Sequence, residues 1–320
     1  MDLDYLVLLQ NFREATGGFL NIPASEVSNF ITTFWIFAIM AFFFWMAKPK
    51  DGMRAWFAFS ASRCLLNVIK LTACIYRPWI RDERIKPLES VIKGATGYSF
   101  PSGHSVTAVA CFGYLARWLW NKRRWISIVL IAFAAFVMFS RNYVGVHTPQ
   151  DVFVGAAIAV ICIFAMPKLF DFVDSLNTKN TIIAYIIGIA VIAGMIVFIM
   201  LKPYPMDYVD GKLLADPATM RKDCFTTCGE FFGVWTAWFI NHHFVHFKIE
   251  KRTLSVCLVA FIALIPLAFW DATFRGIFGV FMPTEAVLFI VQFLKIAYIM
   301  ILVPIILMRT SAKSIRLNED

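Results

Sequence analysis

Long apolar blocks alternate with short polar stretches from one end of the chain to the other. The blocks fall at about residues 28–47, 54–76, 103–120, 125–143, 149–170, 181–201, 230–247, 254–270 and 284–308. Each approaches the roughly 20 apolar residues that a helix needs to cross a bilayer. Most lack the polar face on which a soluble helix turns toward water. The pattern predicts nine crossings in an all-α, polytopic transmembrane helix bundle. Residues 1–27 read as an N-terminal interfacial segment, with a short helix around Leu6 to Phe12 lying on the membrane.

Composition narrows the class. Hydrophobic residues make up 60% and charged residues 16%, which excludes an ordinary soluble domain. The formal net charge is +9, yet the basic residues sit mostly between apolar blocks. That is the positive-inside bias of membrane proteins, so no nucleic-acid partner is expected. Lys48, Lys50 and Arg54 follow the first block, and Lys122, Arg123 and Arg124 the third. Lys168 and Lys179 follow the fifth, Lys248, Lys251 and Arg252 the seventh, and Arg309, Lys313 and Arg316 the ninth. These loops are expected in the cytoplasm, with the N-terminus outside. Loops 77–102, 144–148, 202–229 and 271–283 then share the outer face. Loop 77–102 carries Arg77, Arg81, Arg84, Lys86 and Lys93 against the bias, and anion binding is the reason this suggests. The first residues are partly acidic with a weak apolar run, so no cleavable leader is expected. Cys64, Cys74, Cys111, Cys162 and Cys257 read as small apolar residues. Cys224 and Cys228 suit a strained disulfide, a metal, or two ordinary thiols on one helix face, the last being expected.

Three polar clusters lie at the outer ends of the blocks. In the first, Lys70 and Arg77 are seven apart, close to two turns, so they are expected to share a helix face. Lys and Arg at such positions also snorkel to the interface. The second is Pro101-Ser102-Gly103-His104, where Ser102 suits a helix cap and the free N–H groups of the first turn suit an anion. The third runs from Ser140 and Arg141 through His147 to Asp151. An acid one turn into a crossing is costly without a partner, and a carboxylate four residues from a histidine can fix its tautomer. A simple cap network around Pro149 and Asp151 is the alternative. Together the clusters offer cations for phosphoryl oxygens, a hydroxyl and backbone N–H cradle, one imidazole to attack phosphorus and another to protonate the leaving oxygen.

Lys-(six residues)-Arg-Pro at 70–78, Pro-Ser-Gly-His at 101–104 and Ser-Arg-(five residues)-His-(three residues)-Asp at 140–151 resemble the three signatures of the type 2 phosphatidic acid phosphatase family. That family is similar to glucose-6-phosphatase and the vanadium haloperoxidases. The resemblance covers about residues 54–170. It implies a nucleophilic His147 that forms a phosphohistidine, oriented by Asp151, with His104 as general acid and later base. It further implies that Lys70, Arg77, Ser102, Gly103 and Arg141 hold the phosphoryl group, with no metal and no cofactor.

The expected organisation is the interfacial segment 1–27, a six-helix phosphatase core over 28–201, and a C-terminal membrane extension over 202–320 with about three further crossings. The expected activity is metal-independent hydrolysis of a phosphomonoester or diphosphate, on a lipid phosphate or isoprenyl diphosphate at the outer face of the cell membrane. Nine crossings with an outside N-terminus also resemble glucose-6-phosphatase, so a soluble sugar phosphate is an alternative. A non-enzymatic anion binder or transporter is another. Loop 202–229 is expected to be a solvated loop. His242 and His246 have metal-like spacing, but no carboxylate or Cys partner is expected nearby, so with His243 they read as interfacial.

Overall fold

The computed structural model describes residues 2–92, 94–95, 97–209 and 211–316; Lys93 and Asp210 lie outside the described residues. Helices come in the order α1 Asp2–Ala15, α2 Asn21–Thr32, α3 Phe34–Met46, α4 Pro49–Ala73, α5 Pro78–Arg81 and α6 Glu89–Ile92. Next are α7 Gly103–Ala108, α8 Tyr114–Leu119, α9 Arg124–Tyr143, α10 Pro149–Asp174 and α11 Thr178–Leu201. A small antiparallel ribbon pairs Tyr208–Val209 with Lys212–Leu213. Then follow α12 Pro217–Ile240, α13 Leu254–Ile262, α14 Ile265–Phe278, α15 Thr284–Ala297 and α16 Val303–Arg316.

The chain is an all-α, multi-pass membrane protein. Among the described residues, six helical runs are long and apolar enough to cross a bilayer: Pro49–Arg81, α9, α10, α11, Leu254–Phe278 and Thr284–Lys313. The pair α2 and α3, bent by 55°, makes a seventh if it is one span. Two expected crossings, 103–120 and 230–247, are helical but are not among these. The first is cut into α7 and α8 by a π turn at Val109–Gly113. The second belongs to α12, which carries Arg221, Lys222, Asp223 and Glu230. The start of α12 at Pro217 also corrects the expected loop 202–229, whose second half is helix. Exposed Ile182, Ile183, Ile186, Ile187 and Val191 on α11 suit a helix that meets lipid.

The described chain divides into two compact units. The first comprises Met1–Thr33, Ala61–Phe164 and Val197–Cys224. Ala24, Val91, Ala95, Tyr143, Val144 and Val146 pack together in it, with Leu20, Trp79, Leu88 and Phe139 around them. This cluster anchors both sides of the short turn between α9 and α10. Arg13, on α1, reaches into the same region. It donates from Nη1 to the Tyr143 carbonyl at 3.3 Å and from Nη2 to the Lys86 carbonyl at 2.7 Å. Two of the loop cations counted against the positive-inside bias are matched by acids of α1: Arg81 pairs with Asp2 and Arg84 with Asp4. Arg84 also pairs with Asp82. For these residues, pairing within the protein replaces anion binding as the explanation.

The second unit comprises Phe34–Ser60, Ala165–Ile196 and Phe225–Asp320. Its core is aromatic: Phe57 meets Phe170 and Trp235, and Trp45 donates to the Ile299 carbonyl at 2.7 Å. Arg54 grips Asp171 with two hydrogen bonds, the fork geometry that suits guanidinium and carboxylate. Lys295 on α15 pairs with Asp271 on α14, and Gln292 donates to the same carboxylate at 2.7 Å.

Replacing Arg13 by Ala leaves two carbonyls short of a donor, which costs about 1–3 kcal/mol where the groups are buried. Thermal unfolding in detergent should show a clear fall for Arg13→Ala and almost none for Arg84→Ala, whose side chain is 62% exposed. Equal shifts for the two would contradict this account of how α1 is held.

Candidate active site

The third polar cluster is shaped by the way α9 ends. Gly145 takes φ of +77°, a left-handed backbone that glycine adopts without strain, and a Cβ there would come within 3.2 Å of Pro87 Cα. Val144 and Val146 are driven into the core on either side, so His147 is presented from a fixed turn. The His147 N–H donates to the Arg141 carbonyl at 3.3 Å, and Asn142 Nδ2 donates to the His147 carbonyl at 2.8 Å. At the start of α10, the Thr148 N–H donates to Asp151 Oδ2 at 2.8 Å, and the Asp151 N–H to Thr148 Oγ1 at 3.3 Å. This reciprocal cap is the bland alternative considered for Asp151. The carboxylate does both jobs, because Oδ2 also lies 3.4 Å from His147 Nδ1.

Hydrogen-bond chemistry assigns the tautomer of His147. Arg77 Nη1 lies 3.0 Å from His147 Nε2. A guanidinium only donates, so Nε2 carries the lone pair and the proton sits on Nδ1, facing Asp151. Ser99 completes the arrangement: its Oγ donates to Asp151 Oδ2 at 2.5 Å and lies 3.4 Å from His147 Nδ1. Burial, together with the positive charges of Arg77, Lys70 and Arg141, holds His147 well below its ordinary value. The imidazole is therefore neutral at neutral pH, with Nε2 available.

Three cations surround it. Lys70, Arg77 and Arg141 are only 6%, 5% and 2% exposed. Lys70 Nζ donates to the Tyr98 carbonyl at 3.1 Å. Arg77 donates to the carbonyls of Gly97 at 3.1 Å and Val146 at 3.0 Å. Arg141 Nη1 donates to Ser28 Oγ at 2.6 Å, while its Nε is buried with no hydrogen-bond partner. The shared helix face expected for Lys70 and Arg77 is corrected. α4 stops at Ala73, and Cys74 turns left-handed at φ of +50°. Arg77 itself is extended ahead of α5, as a residue before proline prefers. The two cations still converge because Arg77 folds back onto the Gly97 and Val146 carbonyls.

The second cluster closes the site. Ser102 caps α7, accepting from the Ser105 N–H at 3.5 Å and the Ser105 hydroxyl at 3.0 Å. Pro101 lies just ahead of the cap. The Ser102 N–H donates to the Asp151 carbonyl at 2.9 Å, which docks this turn on the start of α10. Gly155 permits that approach, since a Cβ there would lie 2.8 Å from the Ser102 carbonyl oxygen. A Cβ on Gly103 would meet only the tip of Leu66 at 3.5 Å, so the protein itself leaves room there. His104 is half-buried in the first turn of α7, within reach of the fields of Arg141, His147, Arg77 and Lys70.

The structure thus gathers Lys70, Arg77, Ser102, Gly103, His104, Arg141, His147 and Asp151 in one unit. Sequence reasoning missed Ser99, Ser28 and Asn142, which hold the dyad, Arg141 and the His147 turn. Ser99 lies within the polar island around Pro101, but only its contacts with Asp151 and His147 show a role. Among the described residues, no group of three or more His, Cys, Asp or Glu side chains is placed to hold a metal ion.

Residues 51–174 match the family model described as the PAP2 superfamily. The chain is similar to phosphatidylglycerophosphatase B of Bacillus subtilis strain 168, with 30% identity over 143 residues, covering 42% of this chain and 66% of that protein. It is similar to lipid phosphate phosphatase delta of Arabidopsis thaliana, with 25% identity over 181 residues, 52% of this chain and 44% of that protein. It is also similar to undecaprenyl-diphosphatase of Sulfolobus acidocaldarius, with 30% identity over 125 residues, 38% of this chain and 56% of that protein. The match spans less than two thirds of the length of each of these relatives. No solved structure matches the chain with comparable significance.

Two outcomes follow from the geometry. Gly155→Ala pushes the Ser102 turn off α10 and should lower kcat/KM at least about tenfold, in line with the sensitivity of reaction rates to small displacements. Unchanged kcat/KM in a folded Gly155→Ala protein would show that this close approach is dispensable. A nucleophile with a lowered pKa stays neutral into acid, so the acid limb of kcat/KM should lie below the ordinary histidine value of 6.5. A limb at or above that value would contradict the charge environment described for His147.

Proposed function

We propose, on the premise that residues 51–174 are a PAP2 superfamily domain, that the protein is a phosphatase acting on a lipid phosphate or isoprenyl diphosphate at the outer face of the membrane. The observation that carries the reading is the set of three buried cations acting on His147, with Arg77 at the lone pair of its Nε2. Three cations and a neutral imidazole leave the pocket electropositive even with Asp151 ionised and the field of Asp223 reaching Lys70 and Arg77. Buried charge in that excess calls for an anion. A phosphoryl group supplies one, with oxygens for Lys70, the Arg77 and Arg141 guanidinium groups and the helix start at Ser102–His104.

The chemistry then needs no metal ligand set. Phosphoryl oxygens draw Arg77 away from Nε2, and the freed lone pair attacks phosphorus in line. The P–O bond to the lipid alcohol breaks as the P–N bond forms, and His104 gives its proton to the leaving oxygen. Asp151, held by Ser99 and the Thr148 N–H, balances the charge that develops on the imidazole. In the second half His104 takes a proton from water, which attacks the phosphohistidine and releases phosphate. The three cations stabilise the charge on the equatorial oxygens in both steps.

Relatives named for phosphatidylglycerophosphate, lipid phosphate and undecaprenyl diphosphate share one chemical feature, a phosphate ester or anhydride carried by a lipid. With the π-broken pair α7 and α8 counted as a crossing, the basic loops between alternate apolar blocks support placing the site on the outer face.

Purified protein should release phosphate from short-chain phosphatidate or a prenyl diphosphate faster than from a hexose phosphate, and EDTA should leave the rate unchanged. His147→Ala and His104→Ala should each lose about a hundredfold or more in kcat with expression preserved. Near-wild-type turnover in His147→Ala would remove the mechanism, and a preference for hexose phosphate would change the substrate class.

A further inference from the structure

The stretch that follows α11, residues 197–224, belongs to the first unit and packs where Lys70 and Arg77 are held. Tyr76, the neighbour of Arg77, donates its hydroxyl to Asp207 Oδ2 at 2.5 Å. The first turns of α12 come next. Asn67 Nδ2 donates to the Asp223 carbonyl at 3.3 Å. Asn67 and Lys70 are three apart on α4, so they share a face, and α12 meets that face. Met220 sits on Gly97, where a Cβ would lie 2.5 Å from the Met220 Sδ. The carbonyl of the same Gly97 receives Arg77 Nε at 3.1 Å. The start of α12 therefore packs against the supports of both cations.

Three charged residues stand side by side in that start, and they act in different directions. Arg221 lies over the Tyr204 ring, with its Cζ 5.9 Å from the centroid. The charge of Lys222 acts on Asp216. The charge of Asp223 acts on Lys70 and Arg77. Asp223 is exposed, and the two cations are buried. An exposed carboxylate keeps its hydration, so it weakens the pull of the cations without taking the place of a phosphoryl group. Its repulsion grows with the number of negative charges that a substrate brings. A phosphomonoester of a lipid alcohol carries its charge on the one group that the cations hold. A lipid diphosphate brings a second charged group after the cations and the helix start at Ser102–His104 are already engaged. That second group meets the carboxylate with less to offset it. Discrimination of this kind is built from repulsion of the wrong substrate as well as attraction of the right one.

We propose that Asp223 is a specificity-determining residue that turns the site toward lipid phosphomonoesters and against lipid diphosphates. The inference rests on the phosphatase reading above and narrows its substrate class.

Farnesyl phosphate and farnesyl diphosphate share a tail and differ by one phosphoryl group, so they form the matched pair for the test. Purified full-length protein is assayed with each, and kcat/KM is taken from the initial release of inorganic phosphate. Asp223→Asn removes the charge and keeps the main-chain carbonyl that Asn67 holds. It should shift the ratio of the two kcat/KM values at least about tenfold toward the diphosphate, the effect of one pK unit of charge interaction. Asp223→Glu keeps the charge and should keep the wild-type ratio. Lys222→Gln, one position away, should change the ratio less than about twofold. The gap between wild type and Asp223→Asn should narrow at about 1 M salt, where the screening length is about 3 Å and an exposed charge is felt least. A purely structural role would scale both substrates together and leave the ratio alone. If Asp223→Asn does not fold, Asp223→Ser carries the same loss of charge and the same expected shift. A ratio within about twofold of wild type in the folded neutral variant, or a shift toward the monophosphate, would overturn the role of Asp223 and leave the phosphatase reading standing. Release of phosphate from neither substrate by the wild type would remove the phosphatase reading, and this inference with it.

Discussion

Everything at the site follows from keeping Lys70, Arg77 and Arg141 out of water beside a single imidazole. An unpaired buried charge costs several kcal/mol. The fold meets much of that cost with main-chain carbonyls and a hydroxyl. The Tyr98 carbonyl receives Lys70, the Gly97 and Val146 carbonyls receive Arg77, and the Ser28 hydroxyl receives Arg141. Carbonyls satisfy donors without cancelling charge, so the pocket stays electropositive. The same arrangement explains why the segment 97–99 is drawn across the site. Its carbonyls serve the cations, while the Ser99 hydroxyl serves Asp151.

The membrane-crossing character was legible because apolar length is a local property, and α9, α10 and α11 lie close to the blocks read from sequence. The breaks were not. The π turn at Val109–Gly113 and the left-handed Cys74 carry no local signature, and each changes which face a later side chain presents. The residue types of the candidate site were visible on three stretches, and the resemblance to a phosphatase family ordered them into roles. What remained hidden were the contacts between distant residues. Arg13 reaches the Tyr143 carbonyl across 130 positions, and Arg81 and Arg84 find Asp2 and Asp4. A charge count along the chain sees an excess of cations in loop 77–102; the tertiary structure shows that much of it is paired with α1.

The second unit has its own polar chemistry. Ion pairs within helices that meet lipid are costly and suggest a use. Besides the Arg54–Asp171 fork there are Asp271 with Lys295, and Asp174 with Lys50 and His242. The Asp271–Lys295 pair is compact, with Gln292 completing it, which fits a role in fixing the packing of α14 against α15. Asp174, Lys50 and His242 line a cavity. His242 and Asp174 are 68 positions apart, so no reading of spacing alone would have joined them.

The account turns on whether His147 Nε2 makes a bond to phosphorus. Rapid acid-free quenching of the purified protein with a lipid phosphate labelled in its phosphoryl group, followed by peptide mapping, tests this directly. Label should appear on the peptide containing His147, survive alkali, and be lost in mild acid as a phosphoramidate is. Turnover with no labelled histidine, or label on a different residue, would contradict it.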